Sequence, residues 1–204
     1  MNTAAMTERI TEASPRLKAR IAGAFYLLTF LTGGAALFVR GRLGLAAGLI
    51  AGACYIAVTL LFYYIFKPVN RSLSLLAASI SLAGCANGPL SLFHLVPFQI
   101  NSLVFFGFYC LLIGYLIFRS TFLPRILGVL LAIDGVGWAL FLNPTLAISL
   151  FPVIALASAL AELPLQFWLL VMGVNEQRWK EQASAAGELA IVARAPCTLD
   201  SIAR

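Results

Sequence analysis

Charge is what this sequence of 204 residues has least of: Lys, Arg, Asp and Glu together make up 11%. A soluble domain usually carries about 25%, and so few charges cannot cover a water-facing surface of this size. Histidine occurs once, as His94. That excludes the two-histidine axial pair of a membrane haem and any H-E-x-x-H metal motif. The four cysteines, Cys54, Cys85, Cys110 and Cys197, include no pair at metal-ligand spacing. Three lie within apolar runs and read as small core residues. There is no glycine-rich phosphate loop and no Ser/His/Asp set at one depth. The sequence therefore assigns no catalytic residue, no metal site and no cofactor.

What is present is hydrocarbon. Hydrophobic types reach 61%, with a mean hydropathy of +0.95. The apolar runs are long and lack the alternation of a membrane barrel. Hydrocarbon offers nothing to backbone N–H and C=O groups, so helices are the solution left. The expectation is an all-α integral membrane bundle of about six spans, each needing about 20 apolar residues. They are placed at about 21–39, 43–66, 73–98, 100–118, 126–142 and 152–174, with Leu146–Phe151 as an interfacial approach to the last. Residues 1–19 and 175–204 form polar tails, the second in part helical. Ser14-Pro15 reads as an N-cap followed by proline in the first turn. The first apolar run is longer than a signal-peptide core and has no small-x-small cleavage site before Arg40, so it reads as a retained helix.

Basic residues are sorted by side. Arg9, Arg16, Lys18, Arg20, Lys67, Arg71, Arg119, Arg125, Arg178, Lys180, Arg194 and Arg204 fall on one side of such a bundle, and only Arg40 and Arg42 on the other. By the positive-inside rule both termini are cytoplasmic. Phe62, Tyr63, Tyr64, Tyr115, Trp168 and Trp179 fall toward the same side, as an aromatic belt would. The formal charge of +6 thus reflects topology rather than nucleic-acid binding. The expected partners are membrane lipid and, through small residues, a second copy of the chain. Ile65-Phe66-Lys67 leading to Arg71, and Ile117-Phe118-Arg119 leading to Arg125, form a weak internal echo. Duplicated hairpins or chance similarity of basic turns both explain it.

Three ionisable groups lie within the apolar runs, where each is costly. Glu162 falls near mid-membrane, and Ser158, Glu162 and Gln166 share one helical face. Pro164 frees the Leu160 carbonyl beside that face. The notch reads as a proton- or cation-binding carboxylate, or as a hydrogen-bonded acid that fixes the bundle. Asp134 lies roughly 13 Å along its helix from Arg125. If spans five and six are neighbours, Asp134 and Glu162 share a depth, and two such groups would share a proton rather than both ionise. An incidental buried acid is the plainer reading of Asp134. His94 lies roughly 33 Å along span three from Ser72, near the outer surface. It reads as a solvated histidine or as an outer-face pH sensor. Gly44, Gly48 and Gly52, with Gly84 and Gly88, offer flat faces for close helix packing, within the chain or between copies. Asn87 beside Gly88-Pro89 reads as a helix kink.

Several stretches resemble the bacterial domain of unknown function 4386 family. They are Arg20-Ile21-Ala22-Gly23 with Tyr26-Leu27-Leu28, Phe66-Lys67-Pro68-Val69-Asn70-Arg71-Ser72-Leu73, and span four from Leu103 to Arg119. Leu123-Pro124-Arg125-Ile126-Leu127-Gly128 and Glu162-Leu163, leading to Trp168-Leu169-Leu170 and Gly173-Val174-Asn175, complete the set. The resemblance covers roughly residues 20–179 and implies a multi-pass membrane protein with no assigned activity. Against the family's pattern, the outer turns here are short and Asp134 replaces a small apolar residue, whereas Glu162 matches. Three roles follow as expectations. The first is packing or sensing within the bilayer. The second is a proton-coupled transporter or channel using Glu162. The third is an intramembrane enzyme acting on lipid or quinone, which needs a second polar group facing Glu162.

Overall fold

The computed structural model describes residues 14–92 and 101–194. These are helical almost throughout and include no strand. In chain order they form α1 (Pro15–Phe38), α2 (Arg42–Phe66), α3 (Arg71–Leu92), α4 (Ser102–Arg119), α5 (Arg125–Ala139), α6 (Pro144–Val171) and α7 (Glu176–Arg194), with a single 3-10 turn at Leu140–Leu142. His94 lies outside the described residues.

Local chemistry sets the helix starts. The Ser14 hydroxyl accepts from the Leu17 N–H at 3.2 Å, and Pro15 occupies the first turn. Four further helices begin at asparagine. Asn70 Oδ1 accepts from Leu73 N–H, Asn101 Oδ1 from Leu103 N–H, Asn143 Oδ1 from Leu146 N–H and Asn175 Oδ1 from Arg178 N–H. Each carboxamide satisfies one of the amides a helix start leaves without a partner. Gly41 and Gly173, with φ of 78° and 69°, make the left-handed turns after α1 and after α6.

The Asn143 cap explains one difference from expectation. Residues 146–151 are the first turns of α6, because Asn143-Pro144 is a helix start rather than a free turn. The helix therefore has 28 residues, about 42 Å at the usual rise. Pro152 and Pro164 both lie inside it.

Short connections make consecutive helices antiparallel neighbours. Each of α1 to α6 packs on the next, and α6 closes onto α1, giving a ring. Arg16, Lys18, Arg20, Lys67, Arg71, Arg119 and Arg125 gather at one end, called here the basic end. Arg40 and Arg42 lie at the far end. Five of the helices, all but α3 and α7, are long and apolar enough to cross a membrane. Leu45, Leu49, Ile133, Val136, Leu156 and Leu160 are exposed around the outside, a surface suited to lipid and not to water. This is a multi-pass membrane protein.

The tightest seam joins α4 and α5. A Cβ placed on Gly107 would meet the Gly135 carbonyl oxygen at 2.8 Å, and one on Gly114 would meet that of Gly128 at 2.7 Å. Backbone thus lies on backbone at two levels one heptad apart. Gly44 abuts the Val39 carbonyl in the α1–α2 turn, and Gly84 abuts Phe105, but Gly48 and Gly52 face open space. Gly88 lies in the last turns of α3, where only the backbone is described. The expected aromatic belt also divides. Tyr64, Tyr115 and Trp168 are exposed, but Phe62 is buried, set edge-on against Tyr26 and Phe66.

Helix α7 lies across the basic end. Trp179 Nε1 donates to the Ile65 carbonyl at 2.8 Å, and Gln182 Oε1 accepts from the Thr121 N–H and hydroxyl. Ser14 hydrogen-bonds the exposed Glu176 carboxylate, with Lys180 and Arg16 adding favourable charge, and these hold it below the usual carboxylate range. A depressed carboxylate stabilises only above its unfolded value, and the contribution is lost as pH falls through the folded one. The attachment of α7 to α1 is therefore expected to loosen in acid below the ordinary glutamate range. Amide protection factors in α7, taken relative to the intrinsic exchange rate at each pH, should fall there in the wild type and change less in Glu176→Gln.

Candidate functional site

The ring of helices places polar side chains at one depth. Asp134, Glu162 and Cys110 each lie about 14 Å of helix from the basic end, and Tyr26, Tyr55 and Ser81 about 15–17 Å. Every helix of the ring thus contributes to a polar layer near the midplane of a ~30 Å hydrocarbon core.

Glu162 is the best-supported member. Trp138 Nε1 donates to Ser158 Oγ at 2.9 Å, and Ser158 Oγ donates to Glu162 Oε1 at 2.6 Å. Ser158 is one turn from Glu162 on α6, so the helix itself sets this pair. Tyr26 from α1 faces the Glu162 carboxylate. The indole therefore fixes the direction of a short chain of hydrogen bonds that ends on the carboxylate.

Asp134 is the converse case. It is buried on α5, and neither carboxylate oxygen has a hydrogen-bond partner. Ser158, Cys110 and Trp138 face it, and it stands close enough for its charge to act on Glu162. Adjacent helices α5 and α6 thus bring the two acids together at one level, as the sequence suggested they would if neighbours. Gln166, one turn beyond Glu162, is fully buried with both amide atoms unpartnered. On the other side of the layer, Tyr55 and Tyr109 stack edge to face at 5.8 Å, and both hydroxyls lack a partner. Thr59 and Ser81 share a hydrogen bond of 2.6 Å between α2 and α3. Asn87 does more than mark a kink, since its Nδ2 donates to Ser102 Oγ at 3.0 Å and ties α3 to α4.

A cavity of about 450 Å³ lies against this layer and extends toward the far end. Glu162 and Ser158 form its polar floor, and Phe30, Phe106, Trp138 and Phe151 are among its walls. Its volume is in the range of small-molecule pockets, about 300–1,000 Å³. Among the described residues no lysine or arginine lines it. Among the described residues no three His, Cys, Asp or Glu side chains converge as metal ligands.

A family model described as "Domain of unknown function (DUF4386)" matches residues 40–99 and 98–173. The chain belongs to this family. An "Uncharacterized protein" of Archaeoglobus fulgidus is 26% identical over 125 residues, 58% of this chain and 76% of its own length. No solved structure matches. Within the DUF4386 match lie α2 to α6, and with them Asp134, Ser158, Glu162 and Gln166. Tyr26 precedes it.

Sequence reasoning found both acids and the serine but not Tyr26, Cys110, Trp138, Tyr55 or Tyr109. A usable signal was present. Counting inward from the basic end of each helix reaches a polar or sulfur-bearing residue at a similar depth every time.

Proposed function

We propose that this DUF4386 protein is a proton-coupled carrier of small amphiphilic organic cations. On this reading it has six spans, with the basic end on the cytoplasmic face of a bacterial inner membrane, as the distribution of Lys and Arg supports. The observation that carries the proposal is a carboxylate, Glu162, backed by a second and unpartnered carboxylate, Asp134, at the floor of an aromatic-walled cavity. Two acids this close hold one proton between them more readily than two charges. A bound cation would replace that proton at Glu162, while Trp138 and Phe106 would favour its positive charge through their ring faces. Cation in and proton out keeps the net charge of the buried site constant, which limits the desolvation cost of each half-cycle.

The test is equilibrium binding of radiolabelled tetraphenylphosphonium to the purified protein, with proton release followed by a pH dye. Wild type should bind and release about one proton per cation, the exchange expected of one shared site. Glu162→Gln should weaken binding by roughly tenfold or more, about 1.4 kcal/mol, and release none. Unchanged binding by a Glu162→Gln protein that merely melts earlier would reduce Glu162 to a structural role. Asp134 also meets the requirement for an intramembrane enzyme, a second polar group beside Glu162. A stoichiometric lipid or quinone found by native mass spectrometry would favour that second reading.

A further inference from the structure

The cavity beside Glu162 is one-sided. On α6 its lining runs through Phe151, Ala155 and Ser158 and ends at Glu162. Toward the basic end the bundle is closed by Phe62, Phe66, Leu116, Ile117, Leu165 and Leu169, each at most 1% exposed. Gln166 stands in this closed half, about 8 Å of helix from the basic end. It is fully buried, and neither its Nε2 nor its Oε1 has a hydrogen-bond partner. A buried amide left unpaired is costly and calls for a partner that the fold itself does not supply. The helix also changes character here. Pro164 cannot donate to the Leu160 carbonyl, so α6 lacks one rung of its hydrogen-bond ladder at the turn between Glu162 and Gln166. Prolines are where helices bend sharply. Pro164 is exposed on the outside of the bundle, so it fills no core position.

The two halves of α6 are held by different neighbours. Its last turns are clasped to α1, since Arg20 Nε donates to the Leu170 carbonyl at 3.0 Å and Arg16 Nε to the Met172 carbonyl at 3.2 Å. Gly23 of α1 has no room for a Cβ, which would meet the Leu170 backbone nitrogen. The bond from Trp138 to Ser158, which joins α5 to α6, lies beyond Glu162 toward the far end. A bend at Pro164 would thus carry the basic half of α6, with the clasped end of α1, away from α5 and leave Glu162 and that bond in place. Given the proposed cation carrier, on which this step rests, we infer that Gln166 is the inner contact of the carried cation. The cation enters from the far end and binds at Glu162. Then α6 bends at Pro164, the basic end opens, and the Gln166 carboxamide oxygen takes over the positive charge as Glu162 regains a proton. That oxygen offers a dipole and no net charge, so the cation is free to leave.

The experiment measures binding and passage separately, with ethidium as the cation. Binding is read by equilibrium dialysis against the purified full chain, and passage by fluorescence in proteoliposomes with trapped DNA and an acidic interior. Wild type should bind ethidium and carry it. Gln166→Leu and Pro164→Ala should each bind within about twofold of wild type yet carry the cation roughly tenfold more slowly or worse, the loss expected when a polar contact or a bending point is removed. Their melting temperatures should not fall, since one variant removes an unpaired buried amide and the other restores a helical hydrogen bond. Passage at the wild-type rate in either variant would overturn the inference, as would loss of binding in parallel with passage. Failure of the carrier reading looks different: wild type itself would carry no ethidium, Glu162→Gln would match it, and the role of Gln166 would fall with it.

Discussion

Leucine in place of Gly114 or Gly128 is expected to abolish folded, monodisperse protein. At Gly114 even a methyl group would come within 2.7 Å of the Gly128 carbonyl oxygen and 2.9 Å of the Ala132 amide nitrogen. At Gly128 the clash is with the Gly114 carbonyl oxygen at 2.5 Å. These neighbours are backbone, so no side chain can rotate away, and α4 and α5 would have to separate. Overpacking in a core typically costs about 1–3 kcal/mol, sometimes more, and a leucine forced between two backbones belongs at or beyond the top of that range. Separation would also dismantle the site, because α4 and α5 carry Cys110 and Asp134. Leucine at Gly48 or Gly52, which face open space, should by contrast leave the monomer intact. Fluorescence-detected size-exclusion chromatography of the four variants reads the difference directly. Equal behaviour of the two pairs would contradict the packing assigned to the α4–α5 seam.

The second large effect concerns Asp134, and it runs in two directions. Asp134→Leu is expected to make the protein more stable and the site inactive. A buried carboxylate with no well-formed hydrogen bond carries a desolvation cost that the facing Ser158, Cys110 and Trp138 side chains offset only in part. Removing such a group recovers about 1–3 kcal/mol, visible as a higher melting temperature. The same substitution leaves Glu162 alone with its Ser158 hydrogen bond, and proton release on cation binding should vanish. A gain in stability coupled to a loss of activity marks a residue kept for function. A drop in melting temperature with unchanged proton release would show instead that Asp134 holds the bundle together.

How much of this was legible in the sequence depends on which physical rule each residue obeys. The spans were legible because backbone in hydrocarbon admits few solutions, and length plus hydropathy report them directly. Ser158, Glu162 and Gln166 were legible as one face because helical spacing is local. The starts of α4 and α6 were legible in principle at Asn101 and Asn143, but asparagine serves turns and caps alike, and local sequence alone does not separate the two at Asn143-Pro144. The Asp134–Glu162 pairing was conditional, since it needed α5 beside α6, which spacing along the chain does not reveal. The glycines show the limit most clearly. The Gly44, Gly48, Gly52 series carries the familiar small-residue spacing, yet two of its members face outward. The seam was made instead by Gly107 and Gly114 against Gly128 and Gly135, whose heptad spacing becomes a match only when two antiparallel helices are laid side by side. Trp138 joined the site for the same reason, since its indole reaches Ser158 across a helix–helix contact rather than along one helix.

On the proposed function, Glu162 and Asp134 hold a proton that a cation displaces. Infrared difference spectroscopy of the protein in lipid, before and after addition of tetraphenylphosphonium, tests it most directly. Binding should bring loss of a carboxylic acid carbonyl band and gain of carboxylate bands, with both changes absent in Glu162→Gln and the helical amide bands unaltered. A spectrum with no change in the carboxylic acid region, or one that persists undiminished in Glu162→Gln, would contradict it.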